Sequence, residues 1–361
     1  MRRSLFAALI LFSFPLAADS PSKTRVEILH DIHGWGAGEI TGGEHGKLHT
    51  VTSKDNDGKG SLREALESNE ALWIIFDKDL HITLKKPIAV KSNKTVDARG
   101  RTIRIDTNSP HGNEGCPDKH NKVSGFVIDG QKNIVLLNVV FDDDYAPLDK
   151  DCEGSDAIAI TDSSDIWIHH CTFRRWADSA IDISTRDKQS SRITASWSRF
   201  ERLYQANPWK VHKGSFHHNV CDEVGLRCPD VEPGNDGKSH VHAYNNYVTN
   251  WLQNGILIAD ESDLWDDHNI LQPCDDETKH GADCKNGVYK MEGKGCIERS
   301  GGKVYGQVKD HTSHCEVSSG FKDASRKNSG NAREECEAGD ECWKKLRERL
   351  MKMAGATLMW P

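Results

Sequence analysis

The sequence has no apolar run long enough to cross a lipid bilayer, because the stretch from Leu5 to Leu16 is too short and nothing later qualifies. It has no pair of cysteines separated by two residues, which argues against a zinc site of the usual spacing. It is short of cations, with 47 Lys and Arg against 55 Asp and Glu. These absences speak against a membrane protein, a zinc domain and a general nucleic-acid binder.

The first residues have the pattern of a secretory signal peptide. Arg2 and Arg3 precede the apolar run, and small residues precede Asp19. We therefore expect residues 1–18 to be removed and the protein to be secreted to the extracellular space. Eleven cysteines in an exported chain predict disulfide bonds, and the odd count leaves at least one thiol unpaired.

The stretch from Ser155 to Phe173 contains two short alternating runs that predict strands. These runs, residues 157–160 and 166–168, are separated by a polar corner. Asp156 stands at the start of the first strand, and Asp178 and Asp182 follow at a spacing that could bring all three to one side. Grouped carboxylates of this kind predict a cation site.

A loose repeat extends from about residue 125 onward and indicates a solenoid. Small polar residues recur at intervals of 33, 27, 21, 27 and 23 residues, at Asn138, Cys171, Ser198, Asn219, Asn246 and Asn269. We expect them to form an internal ladder that satisfies backbone groups at one bend, with Cys171 as the buried free thiol. Short strands without long intervening helices favour a parallel β-helix, and the alternative is an antiparallel β-sandwich.

The two ends of the solenoid have their own signals. Ser61 and Glu64 match a capping box that opens a short helix, which would cover the first coil. We assign residues 19–315 to the β-helix and residues 316–361 to a polar extension with a terminal helix from Glu341 to Met353. Short loops favour the disulfides Cys274–Cys284 and Cys336–Cys342, with Cys116–Cys152, Cys221–Cys228 and Cys296–Cys315 as weaker candidates.

Several motifs, taken in order, resemble polysaccharide lyase family 1, the pectate lyase and pectin lyase superfamily. They are GWGAGEITGGEHG near Gly34, GSLREAL at 60–66, LWIIFD at 72–77, KTVDARG at 94–100, SDAIAI at 155–160, IWIHH at 166–170, DSAIDI at 178–183, LRCP at 226–229 and HVHAYNN at 240–246. The resemblance implies an all-β, right-handed parallel β-helix with an N-terminal capping helix. It also implies cleavage of α-1,4-linked galacturonan by β-elimination, which pectate lyases carry out with calcium.

The resemblance places the metal and catalytic positions on named residues. The family's calcium carboxylates fall on Gly154, Asp156, Asp178 and Asp182, so three of the four positions keep an acid. The family's catalytic arginine falls on Arg227, acting as a Brønsted base or as a stabiliser of developing charge. The alternative is that the aspartates only cap turns and that the arginine is only an ion-pair partner.

Several positions depart from the family pattern. A second arginine of the family is Glu232 here, and the substrate-binding lysine falls near Gln205, with Lys210 and Lys213 close enough in sequence to replace it. His169 stands where the family has an aspartate, and His170 keeps a histidine for which we expect a structural role. Gln205, Lys210 and Lys213 are therefore the expected substrate-binding residues.

These features predict a secreted pectate lyase that uses Ca²⁺ and acts as a monomer on pectate. Three competing interpretations stay open: a pectin lyase that cleaves esterified polymer without calcium, a noncatalytic carbohydrate-binding β-helix, and a hydrolase with paired acids. Retention of the three aspartates speaks against the pectin lyase. The Glu232 and Gln205 substitutions are what motivate the noncatalytic alternative.

Overall fold

A computed structural model describes residues 24–107, 123–143, 154–235, 237–251, 254–259, 262–267, 269–272, 297–300, 303–307 and 340–357. The signal peptide predicted at residues 1–18 lies outside these ranges, as does most of the predicted polar extension. None of the helices within these ranges is long and apolar enough to cross a membrane.

The chain forms three parallel sheets. Sheet A contains β1 (Lys47–Val51), β2 (Leu72–Phe76), β5 (Lys94–Asp97), β8 (Lys132–Leu137), β11 (Ser164–His169), β14 (Ser191–Ser196), β17 (Gly214–His217), β20 (Ser239–Tyr244), β23 (Ser262–Asp267) and β26 (Lys303–Gln307). Sheet B contains β3 (Leu80–Thr83), β6 (Ile103–Asp106), β9 (Val139–Asp142), β12 (Thr172–Arg174), β15 (Arg199–Gln205), β18 (Val220–Leu226), β21 (Tyr247–Thr249) and β24 (Ile270–Gln272). Sheet C contains β4 (Ile88–Ala89), β7 (Phe126–Asp129), β10 (Ile158–Thr161), β13 (Ile181–Ser184), β16 (Pro208–Trp209), β19 (Asp230–Val231), β22 (Ile256–Ala259) and β25 (Ile297–Ser300).

Each coil passes through sheet C, then sheet A, then sheet B, and the next coil stacks on it in register. Ile158 of β10 pairs with Ile181 of β13, and Phe173 of β12 pairs with Phe200 of β15. Apolar residues of all three sheets point inward and form one continuous buried core. The parallel β-helix prediction is therefore confirmed over the β-sandwich, because a sandwich would require antiparallel pairing.

The predicted polar ladder lies at the corner between sheets A and B. The Asn246 side-chain amide donates to Asn269 Oδ1 at 2.7 Å, and that of Asn219 donates to Asn246 Oδ1 at 3.1 Å. The Ser198 N–H donates to Asn219 Oδ1, and the Cys171 N–H donates to Ser198 Oγ. Cys171 is buried and free, as predicted. Each side chain thus satisfies backbone groups of the preceding coil.

Among the described residues, three helices pack on the ends and flanks of the coil. Helix α1 (Arg25–Leu29), which the sequence did not predict, places Ile28 against the outer face of sheet A. Helix α2 (Leu62–Glu67) is the predicted lid: the Glu64 N–H donates to Ser61 Oγ, although the Glu64 carboxylate accepts from Gly60 rather than Ser61. Helix α3 (Asp340–Met353) confirms the terminal helix and packs Leu346 and Leu350 against sheet B.

One of the candidate disulfides falls within the described residues. Cys221 of β18 is bonded to Cys228, with the two Cα atoms 6.5 Å apart. The other four candidate pairs each involve a cysteine outside the described ranges and stay predictions.

Candidate active site

The three predicted metal ligands lie where the chain enters or runs along sheet C. Asp156 precedes β10 and Asp178 precedes β13, and each is only 7% exposed. Asp182 lies within β13 between the inward-facing Ile181 and Ile183, so the alternation of the strand turns its side chain outward. The stacking of two successive coils therefore gathers the three carboxylates.

Burial and mutual repulsion make this cluster costly to ionise. Burial raises the pKa of Asp156 well above its ordinary value, and the charges of Asp182 and Asp178 add to the rise. Burial, followed by the charge of Asp178, raises the pKa of Asp182 to about 6, and Lys210 opposes that rise. A cation bound among the three would remove this repulsion.

Arg227 lies between β18 and β19 with its backbone in the left-handed region. Its φ of 67° is shared in kind by other non-glycine residues at corners of the coil, such as His170 and His218. Its N–H donates to Asn254 Oδ1 at 2.9 Å, and its carbonyl accepts from the Asn207 N–H at 3.0 Å. Its Nε lies 3.2 Å from Oδ2 of the buried Asp230. Both backbone and side chain are thus fixed.

Gln205 joins the arginine to the aspartates. Arg227 Nη1 donates to Gln205 Oε1 at 3.1 Å, and Gln205 Nε2 donates to Asp178 Oδ1 at 2.5 Å. The other Asp178 oxygen accepts from the Gly154 N–H at 2.5 Å. One side-chain amide therefore spans the gap between the predicted catalytic cation and a predicted metal ligand.

The two candidate lysines lie on different faces of the coil. Lys210 follows β16 on sheet C, near Asp182, and its Nζ is 3.4 Å from Glu232 Oε2. Lys213 lies past the corner toward sheet A, with its Nζ 4.8 Å from the ring centroid of Trp35. The structure brings Lys210, and not Lys213, to the carboxylate cluster. The pairing of Lys210 with Glu232 was not foreseen, because it depends on the alignment of adjacent coils.

The two histidines are part of the scaffold. His170 is buried at the corner between sheets A and B, with Nδ1 3.1 Å from the Gly355 carbonyl oxygen. Burial lowers the pKa of His170 to about 4, so its ring is neutral near pH 7. His169 Nδ1 lies 2.8 Å from Ser196 Oγ. Neither side chain approaches the carboxylates through these contacts.

The three carboxylates are ligands of the type that calcium prefers, but they do not by themselves complete its coordination. Within the described ranges, no group of three or more His, Cys, Asp or Glu side chains is arranged to enclose a metal. Calcium takes about six to eight oxygen ligands, so three carboxylates leave positions for substrate and water. Burial first, and then the neighbouring carboxylates, raise the pKa values of Asp156 and Asp182, and Lys210 offsets only part of the rise at Asp182. Such a site would bind the ion together with an anionic substrate.

The raised pKa of Asp182 predicts a pH-dependent stability difference. An Asp182→Asn variant in metal-free buffer should match the wild type near pH 3, where the carboxyl is mostly protonated in both folded and unfolded chains. Between about pH 4 and 6 only the unfolded chain ionises, so the wild type loses stability that the variant keeps. The gap should reach about 1–3 kcal/mol above pH 6, a few degrees in Tm.

Thermal unfolding followed by circular dichroism from pH 3 to 7.5 would measure this gap. Asp187→Asn is the matched control, because that carboxylate is on the neighbouring turn with its side chain 82% exposed. A gap that stays constant across the pH range would contradict the prediction.

Comparison with known proteins places these features in one family. The pectate lyase family model matches residues 28–294 of the chain. Pectate lyase 3 from Ambrosia artemisiifolia is 32% identical over 253 residues, covering 64% of this chain and 58% of its own length. Pectate lyase 5 from the same plant is 33% identical over 196 residues, covering 50% and 44%. The chain thus spans about half the length of the curated relatives it matches.

Solved structures share the fold at low sequence identity. A thermostable pectate lyase superposes with a TM-score of 0.59 at 17% identity, covering 92% of this chain and 100% of its own. The major allergen from cedar pollen, jun a 1, gives 0.58 at 19% identity, covering 92% and 94%. A Bacillus pectate lyase in complex with trigalacturonate gives 0.57 at 18%, covering 90% and 98%. The coil, its carboxylates and the extent of the family match lead to one assignment: this chain belongs to the pectate lyase family.

Proposed function

We propose that this protein is a secreted pectate lyase that cleaves α-1,4-linked polygalacturonate by calcium-assisted β-elimination. The observation that carries the proposal is the Gln205 bridge, which joins Arg227 to Asp178 at hydrogen-bond distances. A guanidinium beside grouped carboxylates would supply a cation for the charge at C5 and a site for the calcium ion that neutralises the uronate carboxylate.

The reaction removes a weakly acidic proton from C5 of a galacturonate unit and expels the oxygen at C4. It therefore needs a neutralised uronate carboxylate, a base or a cation at C5, a proton donor such as water for the departing oxygen, and an oriented polymer. Calcium, held by Asp156, Asp178 and Asp182, would neutralise the uronate carboxylate and so acidify the proton on the neighbouring carbon.

Arg227 is the residue that we propose to act at C5. Its ion pair with Asp230 and its fixed backbone hold the guanidinium on the same wall as the carboxylates. To act as a base the side chain would first have to lose its own proton, which arginine holds strongly, whereas as a cation it would stabilise the charge left at C5 while water carries the C5 proton away. Both roles need a fixed side chain, because a mobile one would lose most of the positioning advantage.

Gln205 and Lys210 are proposed to orient the substrate. Lys210 is half-exposed and forms an ion pair with Glu232. A uronate carboxylate could compete with Glu232 for the Lys210 ammonium. The Gln205 amide donates to Asp178 and accepts from Arg227. It would therefore orient the substrate by holding these two residues in place, and the substrate would bind beside it. Substrate contacts at this chain thus rest on fewer cations than the family pattern contains.

Secretion has separate support. The disulfide between Cys221 and Cys228 is typical of chains that fold in an oxidising compartment. The pattern of residues 1–18 is typical of an export signal. We propose that the exported protein acts on pectate as a monomer.

Product chemistry tests the proposal. Purified protein is mixed with polygalacturonate or with methyl-esterified pectin, with calcium or with a chelator, and the ultraviolet absorbance of an unsaturated product is followed. We expect absorbance on polygalacturonate that depends on calcium. Absorbance only on esterified pectin without calcium would support a pectin lyase instead. New reducing ends without absorbance would indicate hydrolysis, and binding without any product would support a noncatalytic protein.

A further inference from the structure

A polar cavity lies on the turns that lead from sheet C to sheet A. We call it the turn pocket; it has a volume of about 390 Å³ and is lined by Gln189, His212, Gly237, Lys238 and His240. Gln189 follows β13, His212 follows β16 and Lys238 follows β19. The turn pocket is thus built by the turns that leave the strands of the candidate active site, and it shares no residue with that site.

The wall of the turn pocket is organised by contacts behind it. His240 stacks on Trp265 with ring centroids 5.6 Å apart, and its Nδ1 lies 3.1 Å from Asp263 Oδ2. Gln189 Nε2 donates to Ser239 Oγ at 3.0 Å. These contacts hold the imidazole and the amide in place, so a ligand would meet groups that are already oriented.

Two further side chains that line the turn pocket, those of Lys238 and His212, are a cation and an imidazole. The Lys238 ammonium is exposed, and the His212 ring lies 5.8 Å from that of His240, centroid to centroid. None of the five lining residues is acidic, and Asp263 contacts His240 without itself lining the cavity. In a chain of formal charge −8, a cavity with this lining favours an anion over a cation.

The size of the cavity narrows the class of anion. A volume of about 390 Å³ is within the range of small-molecule sites and is larger than a single inorganic anion requires. An ammonium and an amide suit one carboxylate, and two imidazoles can contact ring hydroxyls. These features together fit an acidic sugar.

We propose that the turn pocket is an accessory site that binds the carboxylate of a uronate unit, outside the catalytic cleft and without metal. The inference rests on the proposed function only for the identity of the sugar. Its role is to hold a second stretch of an acidic polymer beside the cleft. Loss of the turn pocket should therefore weaken binding of polymer and leave the turnover of short substrates unchanged.

Binding without metal tests the proposal. Isothermal titration of trigalacturonate into the full-length protein, in chelator, should show binding that a Lys238→Gln, His212→Gln double variant weakens at least about tenfold. Lys188→Gln is the matched control: it removes one exposed cation from the same flank but not from the cavity, and should bind within about twofold of the wild type. Methyl-esterified trigalacturonate, which lacks the charge, should not bind.

Several outcomes would overturn the proposal. They are no metal-free binding by the wild type, equal binding by the double variant, or equal binding of the esterified probe. The double variant should also raise KM on long polygalacturonate while kcat on trigalacturonate stays unchanged. Because titration needs no turnover, a failure of the lyase assay and a failure of this inference can be told apart.

Discussion

Replacing Arg227 with alanine is expected to lower kcat on polygalacturonate by about a thousandfold to ten-thousandfold. The variant removes the only guanidinium that the described contacts join to the carboxylate cluster, here through Gln205. A general base and a positioned cation each contribute rate accelerations of this order, so either role of Arg227 gives a similar expected loss in kcat. Initial rates of unsaturated product at saturating calcium and substrate would measure it.

The control must separate chemistry from folding. Asp230 is fully buried, and burial together with the charge of Glu232 raises the pKa of Asp230 well above its usual range, while Arg227 opposes the rise. Removing Arg227 leaves that carboxyl without its partner, which can cost about 3–5 kcal/mol if it stays charged. An Arg227→Ala, Asp230→Asn double variant removes the penalty and should be folded but equally inactive. Activity within tenfold of the wild type in either variant would contradict the assignment.

An Arg227→Lys variant distinguishes charge from shape. Lysine keeps a cation for Asp230 but loses the planar fork that reaches both Asp230 and Gln205. If the geometry of the guanidinium matters, this variant should fold like the wild type and lose most of its activity. Circular dichroism and the same initial-rate assay would establish both points.

The scaffold could be predicted from sequence because its signals are local. The polar ladder repeats at each coil, so the sequence places Asn219, Asn246 and Asn269 at equivalent positions. In the structure, side-chain hydrogen bonds connect these three residues. The spacing of Asp156, Asp178 and Asp182 likewise indicated that they could lie on one side, and burial and mutual repulsion link them in the structure. Helix α1 was missed although Thr24 and Glu27 form a capping box at its start, because five residues are too few to show a helical period and the helix is held mainly by packing on sheet A.

The connections within the site were harder to predict because they cross between coils. Gln205 and Asp178 are 27 residues apart, and nothing in the sequence shows that the coil stacking brings them together. Lys210 and Lys213 are three residues apart, but a corner falls between them, so one lies by Asp182 and the other on Trp35. Sequence spacing alone cannot locate a corner that short strands leave undefined.

Calcium removal should have the second large effect. In chelator, activity on polygalacturonate is expected to fall by more than about a hundredfold, because the cation would supply several kcal/mol of charge stabilisation at the substrate carboxylate. Asp182→Asn should raise the calcium concentration for half-maximal activity at least about tenfold, since ligand charge sets the affinity of such sites. Activity is measured against free calcium in buffered solutions.

Asp182→Asn should increase stability in the absence of calcium but weaken the binding of calcium, and that contrast makes the test specific. The variant should be more stable than the wild type above pH 6 without calcium, because it lacks a carboxylate that burial and Asp178 make costly to ionise. With calcium, the wild type should gain stability through bound metal and the variant should gain less. A carboxylate that only capped a turn would change neither the calcium titration nor its effect on Tm. Asp187→Asn should behave like the wild type in both measurements, and unchanged calcium dependence in Asp182→Asn would remove Asp182 from the proposed metal site.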